Sequence, residues 1–179
     1  MSKRITKEEG LELLKAYGTP ERVVRHCIAV TDTAVAIATE LNKHGYSLNI
    51  ELVTGAGIIH DIARVEDDHE KVGAEYAMSI GLEEEAAIIR THMRYPYFNK
   101  IEEVNETDMV CLADRTVKED QYVGIDERIE YIINKARAAG ASEEHIAKIN
   151  KKREETRQFM SDIESVIGMS VDELCGRKG

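Results

Sequence analysis

The stretch GAGIIHDIARVEDDHEKVGAEYA, residues 55–77, places a histidine and an aspartate side by side within an otherwise apolar helical run. Such a polar pair is unfavourable in a protein interior unless something binds it. An imidazole nitrogen and a carboxylate form a ligand mixture that suits iron, manganese, zinc or cobalt. His60-Asp61 is therefore either half of a metal site or a structural pair, in which Asp61 orients His60 or accepts from Arg64.

Further histidines and one aspartate occur at intervals along the chain, each in a segment expected to line the interior. They are His26 in VVRHCIAV, His69 in DDHEKVGAEYA, His92 in IIRTHMRYP and Asp114 in CLADRTV. Each has an ordinary alternative. His26 could be a satisfied core histidine, His69 an exposed first-turn residue and His92 a helix cap. Asp114 could form an ion pair with Arg115. Because a bare carboxylate is costly to bury without a cation, their succession along the chain favours a shared metal site.

Helices are the elements that must carry these residues. Apolar residues recur at helical spacing over most of the chain. Only two prolines occur, aromatic residues are sparse, and no sustained alternation of β-branched residues indicates a sheet. We predict helices over about 6–18, 20–44, 49–63, 67–80, 83–93, 106–117 and 142–167, with another beginning near Asp126 and a loop over 118–125.

Several helix starts follow from local capping patterns. Thr6 with Glu9 forms a capping-box pattern. Thr19-Pro20 places an N-cap and a helix-compatible proline before the second helix. Ser170 is predicted to cap a last short turn. These starts agree with the helical period and with a fold that is all-α.

Length and composition fit a single domain. A chain of 179 residues with 42% hydrophobic and 32% charged residues can bury a core of its own. We predict one all-α domain over 1–179, a helical bundle with a core of about 19–131 and a charged C-terminal helical extension of about 142–175. The charged run between Lys148 and Arg157 predicts a solvated outer face for the last long helix.

Charge and cysteine content restrict the partners. The net charge of -10 argues against binding to a nucleic-acid polymer, because a phosphate backbone requires a basic face. No run approaches the roughly 18 apolar residues of a membrane span, and MSKRITKEEG lacks the apolar segment of a signal peptide. Three cysteines without CxxC spacing favour a reducing compartment. We therefore expect a cytoplasmic protein without membrane contact, either a monomer or a homodimer, with His44 and His145 on its surface.

With these flanking residues, the order H…HD…H…H…D resembles the HD-domain superfamily of metal-dependent phosphohydrolases. The resemblance runs from about Thr19 to Tyr131 and is closest to the bacterial HD-type hydrolases of symmetrical dinucleoside tetraphosphates. HDIAR looks like the HD helix of that group, HEKVGAEYA like its third-histidine helix, and CLADRTVKEDQYVGIDERIEYI like the segment that carries its last aspartate. The superfamily fold is an all-α bundle, in agreement with the helical pattern.

The resemblance also implies a ligand set. His26, His60, Asp61 and Asp114 would bind one metal. Asp61 would bridge to a second metal that is held also by His69 and His92. The implied cofactor is a pair of divalent transition metal ions, with iron as the first candidate and manganese, cobalt, zinc or nickel as alternatives.

We therefore predict a metal-dependent phosphohydrolase that cleaves a phosphoester or phosphoanhydride of a nucleotide-like small molecule through a metal-bound hydroxide. Asp61 and Arg115 are the predicted catalytic residues. Binding a phosphorylated or nucleotide substrate in an acidic protein requires local positive charge, which Arg64, Arg94, Arg115 and Lys118 could supply. Arginine suits bidentate phosphate recognition, although each of these cations has the alternative of a solvated charge or an ion pair.

Two other functions remain open at this stage. Some HD-domain proteins hold a di-iron pair with the same six ligands and act as oxygenases, so the ligand set alone does not separate hydrolysis from oxidation. A catalytically silent nucleotide- or metal-binding sensor would also keep the site.

Overall fold

The computed structural model describes residues 3–176, and this part of the chain is mostly helical, which confirms the predicted fold class. Its α-helices are α1 (Lys7–Tyr17), α2 (Glu21–Lys43), α3 (Ile50–Ile59), α4 (His69–Ser79), α5 (Glu83–Thr91), α6 (Glu106–Thr116), α7 (Gly124–Ala138), α8 (Glu143–Ile167) and α9 (Val171–Leu174). Two short 3₁₀ helices cover His92–Arg94 and Ile101–Glu103. A small antiparallel hairpin joins β1 (Val117–Lys118) to β2 (Gln121–Tyr122).

The long helix α2 lies at the centre and packs against both α3 and α6. On one side, Val30, Ile37 and Leu41 of α2 join the larger hydrophobic cluster, which also contains Leu112 and Ile163. On the other side of the bundle, a second cluster includes Leu14, Ile58, Ile59, Ile62 and Ile89. Each fully buried Leu or Ile side chain stabilises the fold by roughly 1.5–3 kcal/mol relative to an exposed one. The site described below lies between elements that these two clusters hold in place.

Capping explains where several helices begin. The Thr6 hydroxyl accepts from the Glu9 backbone N–H at 3.2 Å, and the Glu9 carboxylate accepts in return from the Thr6 N–H at 2.8 Å. Ser170 caps α9 as predicted, and the side chain of Ser142, where the eighth helix was predicted to begin, caps α8. The prediction of Thr19 as an N-cap was wrong, because Pro20 occupies that position. The Thr19 hydroxyl instead donates to the Ile62 carbonyl at 2.7 Å, which ties the start of α2 to the segment after α3.

The third helix is shorter than predicted, since it ends at Ile59 rather than near residue 63. The chain continues in tight turns, with backbone bonds from Ile62 to Ile59 at 3.1 Å and from Arg64 to Asp61 at 2.9 Å. These three-residue turns let a short connection reverse direction before α4. The fifth helix likewise ends early, because the chain tightens to a 3₁₀ turn at His92.

The predicted loop over 118–125 contains most of the β1–β2 hairpin and the start of α7. No Asn-Gly or Gly-X pair marks its turn, so the usual hairpin signal is absent. Asp126 does not cap α7, whose N-cap position is Val123. Its carboxylate instead accepts from the Arg157 side chain at 2.9 Å and joins α7 to α8.

The C-terminal helix α8 is charged and solvated on one face, as expected. Its other face buries Ile146, Phe159, Met160 and Ile163 in the larger cluster. α8 packs mainly on α7, so the extension shares a core with the preceding helices. The division into a core of about 19–131 and an extension of about 142–175 stays a prediction. No helix in the described part of the chain combines the length and the apolar character that a membrane crossing requires.

Candidate metal centre

Five helical segments bring the six predicted ligands to one place, which we call the His–Asp cluster. His26 comes from α2, and His60 and Asp61 come from the turn after α3. His69 begins α4, His92 begins the 3₁₀ helix after α5, and Asp114 lies near the end of α6. Residues 88 positions apart are thereby placed in contact, as between His26 and Asp114.

Asp61 lies among three imidazoles. Its Oδ1 is 3.2 Å from His69 Nε2 and 3.4 Å from His92 Nε2. Its other oxygen, Oδ2, is 3.7 Å from His60 Nε2. The two oxygens of one carboxylate therefore face different histidines, which is the arrangement that a ligand shared between two ions would have.

Asp114 forms the second focus of the cluster. Its Oδ1 is 3.0 Å from His26 Nε2 and 3.8 Å from His60 Nε2. Two groups of three have ligand atoms that all lie within 4.8 Å of one another, namely His26–His60–Asp114 and His60–Asp61–His92. His60 belongs to both groups, so the structure brings the two halves of the cluster together at this ring.

Backbone carbonyls orient three of the four imidazoles. Nδ1 of His60 lies 2.8 Å from the Gly57 carbonyl, and Nδ1 of His92 lies 2.6 Å from the Ile89 carbonyl. Nδ1 of His26 lies 2.7 Å from the carbonyl of Glu119. A carbonyl only accepts, so each Nδ1 must carry the hydrogen. In the neutral ring, Nε2 is then left with a lone pair pointing into the cluster, which is how metal-ligating histidines are usually held.

Several atoms of the cluster are buried without a hydrogen-bond partner among the described residues. They are Nε2 of His60, Nε2 of His69, Nε2 of His92 and Oδ1 of Asp61. An unsatisfied buried polar atom costs about 1–3 kcal/mol, so four of them in one place require a compensating partner. Four imidazole nitrogens and two carboxylates are a donor set that divalent transition metals accept. The residues present therefore fit such a cation.

Electrostatics keep both carboxylates ionised. Burial alone would raise the pKa of Asp61, but His60, His69 and His92 outweigh that effect and lower it. Burial also acts to raise the pKa of Asp114, and the neighbouring imidazoles of His26 and His60 lower it well below its usual value. Ionised carboxylates are the form that coordinates a cation, so the fold holds them in the state a metal requires.

The basic residues predicted around the cluster divide into two pairs. Arg64 and Arg115 line a cavity of about 910 Å³ that opens over His26, Asp61 and Asp114. Arg64 Nε is 3.3 Å from Asp61 Oδ2.

The guanidinium of Arg115 is held on the cavity wall by neighbours of its own. Its Nη2 donates to the Tyr95 carbonyl at 2.8 Å. Its Cζ lies 4.8 Å from the centre of the Phe98 ring. Arg115 is therefore fixed in place before any substrate arrives.

Arg94 and Lys118, the other predicted pair, are not among the residues that line this cavity. The Arg94 side chain is 77% exposed and pairs with Glu70 at 3.1 Å. Lys118 Nζ pairs with Glu127 at 3.3 Å. Both follow their ligand residues closely along the chain, but the structure directs them to carboxylates.

Sequence reasoning missed much of the cavity wall. The charged and aromatic residues that line the cavity but were not predicted are Arg22, Arg25, Glu119, Asp120, Arg128, Tyr131 and Lys135. Three of them, Arg128, Tyr131 and Lys135, follow one another at intervals of three and four residues on α7, a helical spacing that was visible in the sequence. Nothing local showed that this face of α7 would lie beside the cluster.

Comparison with known proteins places the cluster in a described family. A family model described as HD domain matches residues 23–118, a range that contains all six residues of the cluster. An uncharacterised protein of Methanocaldococcus jannaschii is 38% identical over 85 residues, which make up 46% of this chain and 50% of that protein. A tRNA (cytidine(56)-2'-O)-methyltransferase of Thermoplasma volcanium is 28% identical over 191 residues, which cover 96% of this chain and 51% of that protein. The chain thus spans about half the length of these curated relatives, and no solved structure matches it.

Proposed function

The chain belongs to the HD domain family, and from that premise we propose that it hydrolyses a phosphoester or phosphoanhydride of a nucleotide-like small molecule in a metal-dependent reaction. The observation that carries the proposal is the set of three buried Nε2 atoms around Asp61, which have no hydrogen bond to a described residue. Backbone carbonyls orient two of these rings, His60 and His92, through Nδ1. A fold that leaves several such atoms unsatisfied is best explained by a bound cation.

The cluster would hold one or two divalent ions. His26, His60, Asp61 and Asp114 are proposed for one ion, and His69 and His92, with Asp61 shared, for a second. Bound there, such ions would neutralise phosphoryl oxygens and lower the pKa of an attacking water. Iron is the first candidate and manganese, cobalt, zinc and nickel are the others, because the mixture of imidazole and carboxylate suits them all.

Arg64 and Arg115 are proposed to bind the phosphoryl group on the cavity wall. Arg115 brings a positive charge that its neighbours already hold in place, so little side-chain entropy is lost when a phosphate binds. We propose a catalytic role for Arg115 in orienting the phosphate beside Asp61. Arg94 and Lys118 lie outside the cavity lining and are proposed only for parts of a substrate that extend beyond it.

A small molecule is the proposed substrate, rather than a nucleic-acid polymer. The name of the Thermoplasma volcanium relative refers to tRNA, but this chain covers only 51% of that protein. A net charge of -10 opposes binding along a phosphate backbone. Symmetrical dinucleoside tetraphosphates belong to the proposed class, and a cavity of about 910 Å³ is large enough to admit a nucleotide.

The test begins with the metal content of the purified chain. The chelator-treated protein is then loaded with iron(II), manganese, cobalt, zinc or nickel and assayed for phosphate release or cleavage products. Suitable substrates are diadenosine tetraphosphate, adenosine diphosphate, adenosine monophosphate and p-nitrophenyl phosphate. We expect turnover that requires metal and that disappears in Asp61→Asn.

The matched control is Asp67→Asn, which removes an exposed carboxylate from the same connection between α3 and α4. It should retain both metal and turnover. A chain that binds no metal and releases nothing from any of the four substrates would overturn the proposal. So would oxygen-dependent consumption of a phosphonate or polyol without hydrolysis, which would indicate an oxygenase.

A further inference from the structure

One face of α7 forms a wall of the cavity that opens over the His–Asp cluster. The residues of this face recur at helical intervals and are Arg128, Tyr131, Ile132, Lys135 and Ala136, and Ala139 lines the same wall just after the helix ends. The opposite face of α7 is buried, with Ile125, Ile129 and Ile133 in the larger hydrophobic cluster. α7 lies outside the residues 23–118 that match the family model, so this wall is an addition to the matched part of the chain.

Three cations on this side of the cavity have no carboxylate oxygen within 4.0 Å among residues 3–176. They are Arg128 and Lys135 on α7 and Arg22 in the first turn of α2. The other cations of the wall differ, since Arg25 pairs with Asp120 at 3.3 Å and Arg64 with Asp61 at 3.3 Å.

The setting of these cations is electrostatically unfavourable without an anion. Arg22 lies at a helix N-terminus, where the helix dipole favours acidic residues. Nε of Arg128 is buried and has no hydrogen-bond partner in the described part of the chain. In a chain with 34 acidic and 24 basic residues, unpaired cations facing one cavity are not explained by a shortage of carboxylates.

The ring of Tyr131 only partly offsets this charge. Lys118 Nζ and Lys135 Nζ each lie 5.3 Å from the ring centre, and Arg128 Cζ lies 5.8 Å from it. A partly exposed cation–π contact contributes only about 0.5–1 kcal/mol. Lys118 is neutralised by Glu127, but Arg128 and Lys135 beside the same ring still attract an anion, and arginine and lysine are both phosphate-binding residues.

We propose that Arg22, Arg128 and Lys135, with Tyr131, form a distal anion subsite that binds a second phosphate group of the substrate. This inference rests on the proposed function, in which the reacting phosphate lies at the His–Asp cluster in the same cavity. The apolar side chains Ile132, Ala136 and Ala139 line the same wall and contact the uncharged part of the substrate. The substrate class is accordingly a nucleoside diphosphate or a longer phosphoanhydride, rather than a simple phosphomonoester.

The test compares two substrates in the metal-loaded full chain. Adenosine diphosphate can reach both sites, whereas p-nitrophenyl phosphate carries only the reacting phosphate. For the double variant with Arg128→Gln and Lys135→Gln, we expect the KM for adenosine diphosphate to rise about tenfold. The ratio of this KM to the KM for p-nitrophenyl phosphate should rise at least fivefold. Arg22→Gln, on a different helix, should shift the ratio in the same direction.

The matched control is Arg137→Gln, which removes one positive charge from an exposed position of α7 that does not line the cavity. It should leave both KM values unchanged. Thermal unfolding of each variant shows whether the fold is retained. An unchanged KM ratio in both the double variant and Arg22→Gln would overturn the subsite.

A separate measurement distinguishes failure of the subsite from failure of the proposed hydrolysis. Equilibrium binding of adenosine diphosphate is measured in the Asp61→Asn background, where no turnover is expected. Weaker binding on adding the α7 substitutions supports the subsite even if the chain hydrolyses neither substrate. Equal binding with and without these substitutions, or no binding at all, overturns it.

Discussion

The imidazole of His26 is held by the backbone of a residue 93 positions further along the chain, since its Nδ1 donates to the carbonyl oxygen of Glu119 at 2.7 Å. Glu119 lies in the turn between β1 and β2 and has a φ of 55°, in the left-handed region that non-glycine residues rarely adopt. The small hairpin thus fixes both the orientation and the protonated nitrogen of a proposed metal ligand.

Substitutions at Glu119 test this support. Glu119→Gly keeps the carbonyl and suits a positive φ, so we expect equal or slightly greater stability and unchanged metal affinity. Glu119→Val should lower the free energy of unfolding by about 1–3 kcal/mol and weaken metal binding by about tenfold. Both variants lose the same carboxylate, so the difference between them reports on the backbone. Equal metal affinity in the two would show that the hairpin does not position His26.

Removal of metal should destabilise the protein. At a free metal concentration of 100 times Kd, binding adds about 2.7 kcal/mol, and for a chain of this size that corresponds to a rise in Tm of about 5–11 °C. Thermal unfolding with chelator and with manganese measures the shift. His60→Ala should abolish it, whereas His145→Ala, on the exposed face of α8, should retain it. A wild-type Tm that is the same with and without metal would contradict the proposed site.

The close approach of α2 and α3 is a third point that substitution can test. A Cβ added at Gly57 would lie 3.1 Å from Thr31 Oγ1 and 3.3 Å from Thr31 Cα, so the two helices would have to separate. We expect Gly57→Ala to cost about 1–3 kcal/mol. Metal affinity should fall as well, because α2 carries His26 and the Gly57 carbonyl orients His60. Ile163→Val, in the larger cluster, should cost about 0.5–1.5 kcal/mol with no change in metal affinity.

Several helix starts and the six residues of the cluster were predictable from the sequence because their signals are local or motif-like. The Thr6 capping box involves residues three apart, and the HD pair stands out within an apolar run. The end of α3 at Ile59 was not predictable, because the turn at His60 depends on how the chain enters α4. The cations of α7 have an ordinary surface pattern, and only the packing of α7 beside the cavity gives them a role.

The Arg115 guanidinium contacts the Tyr95 carbonyl and the Phe98 ring, and that ring stacks on Phe159 of α8 with centres 4.4 Å apart. Arg115→Lys keeps the charge but loses the planar stack and its hydrogen bond. We expect a loss of about 1–2 kcal/mol in stability and a fall in kcat/KM for adenosine diphosphate of at least tenfold.

Phe98→Leu is the companion variant, because it removes the stack and keeps the arginine. If Phe98→Leu loses as much stability as Arg115→Lys but much less kcat/KM, the result would support direct phosphate contact by Arg115. An equal fall of kcat/KM in both variants would assign Arg115 to positioning of the loop after His92.

Glu85 gives the protein a pH dependence that is independent of the metal centre. Its side chain is fully buried in α5, and neither carboxylate oxygen has a hydrogen bond to a described residue, although Arg4 Nη1 lies 3.6 Å from Oε1. Burial raises the pKa of Glu85 above its ordinary value of 4.5, and the backbone and Arg4 only partly oppose that effect. Its contribution to stability is therefore full below pH 4.5 and is lost as the pH rises through the folded-state pKa.

Chemical unfolding between pH 4.5 and pH 8 measures this effect. Relative to Glu85→Gln, the wild type should lose stability over that range, because the folded-state pKa of Glu85 lies above its ordinary value. Glu83→Gln removes an exposed carboxylate from the same first turn and should follow the wild-type curve. Parallel curves for Glu85→Gln and the wild type would show that the buried carboxylate titrates at its ordinary pKa, because Arg4 would then compensate its burial completely.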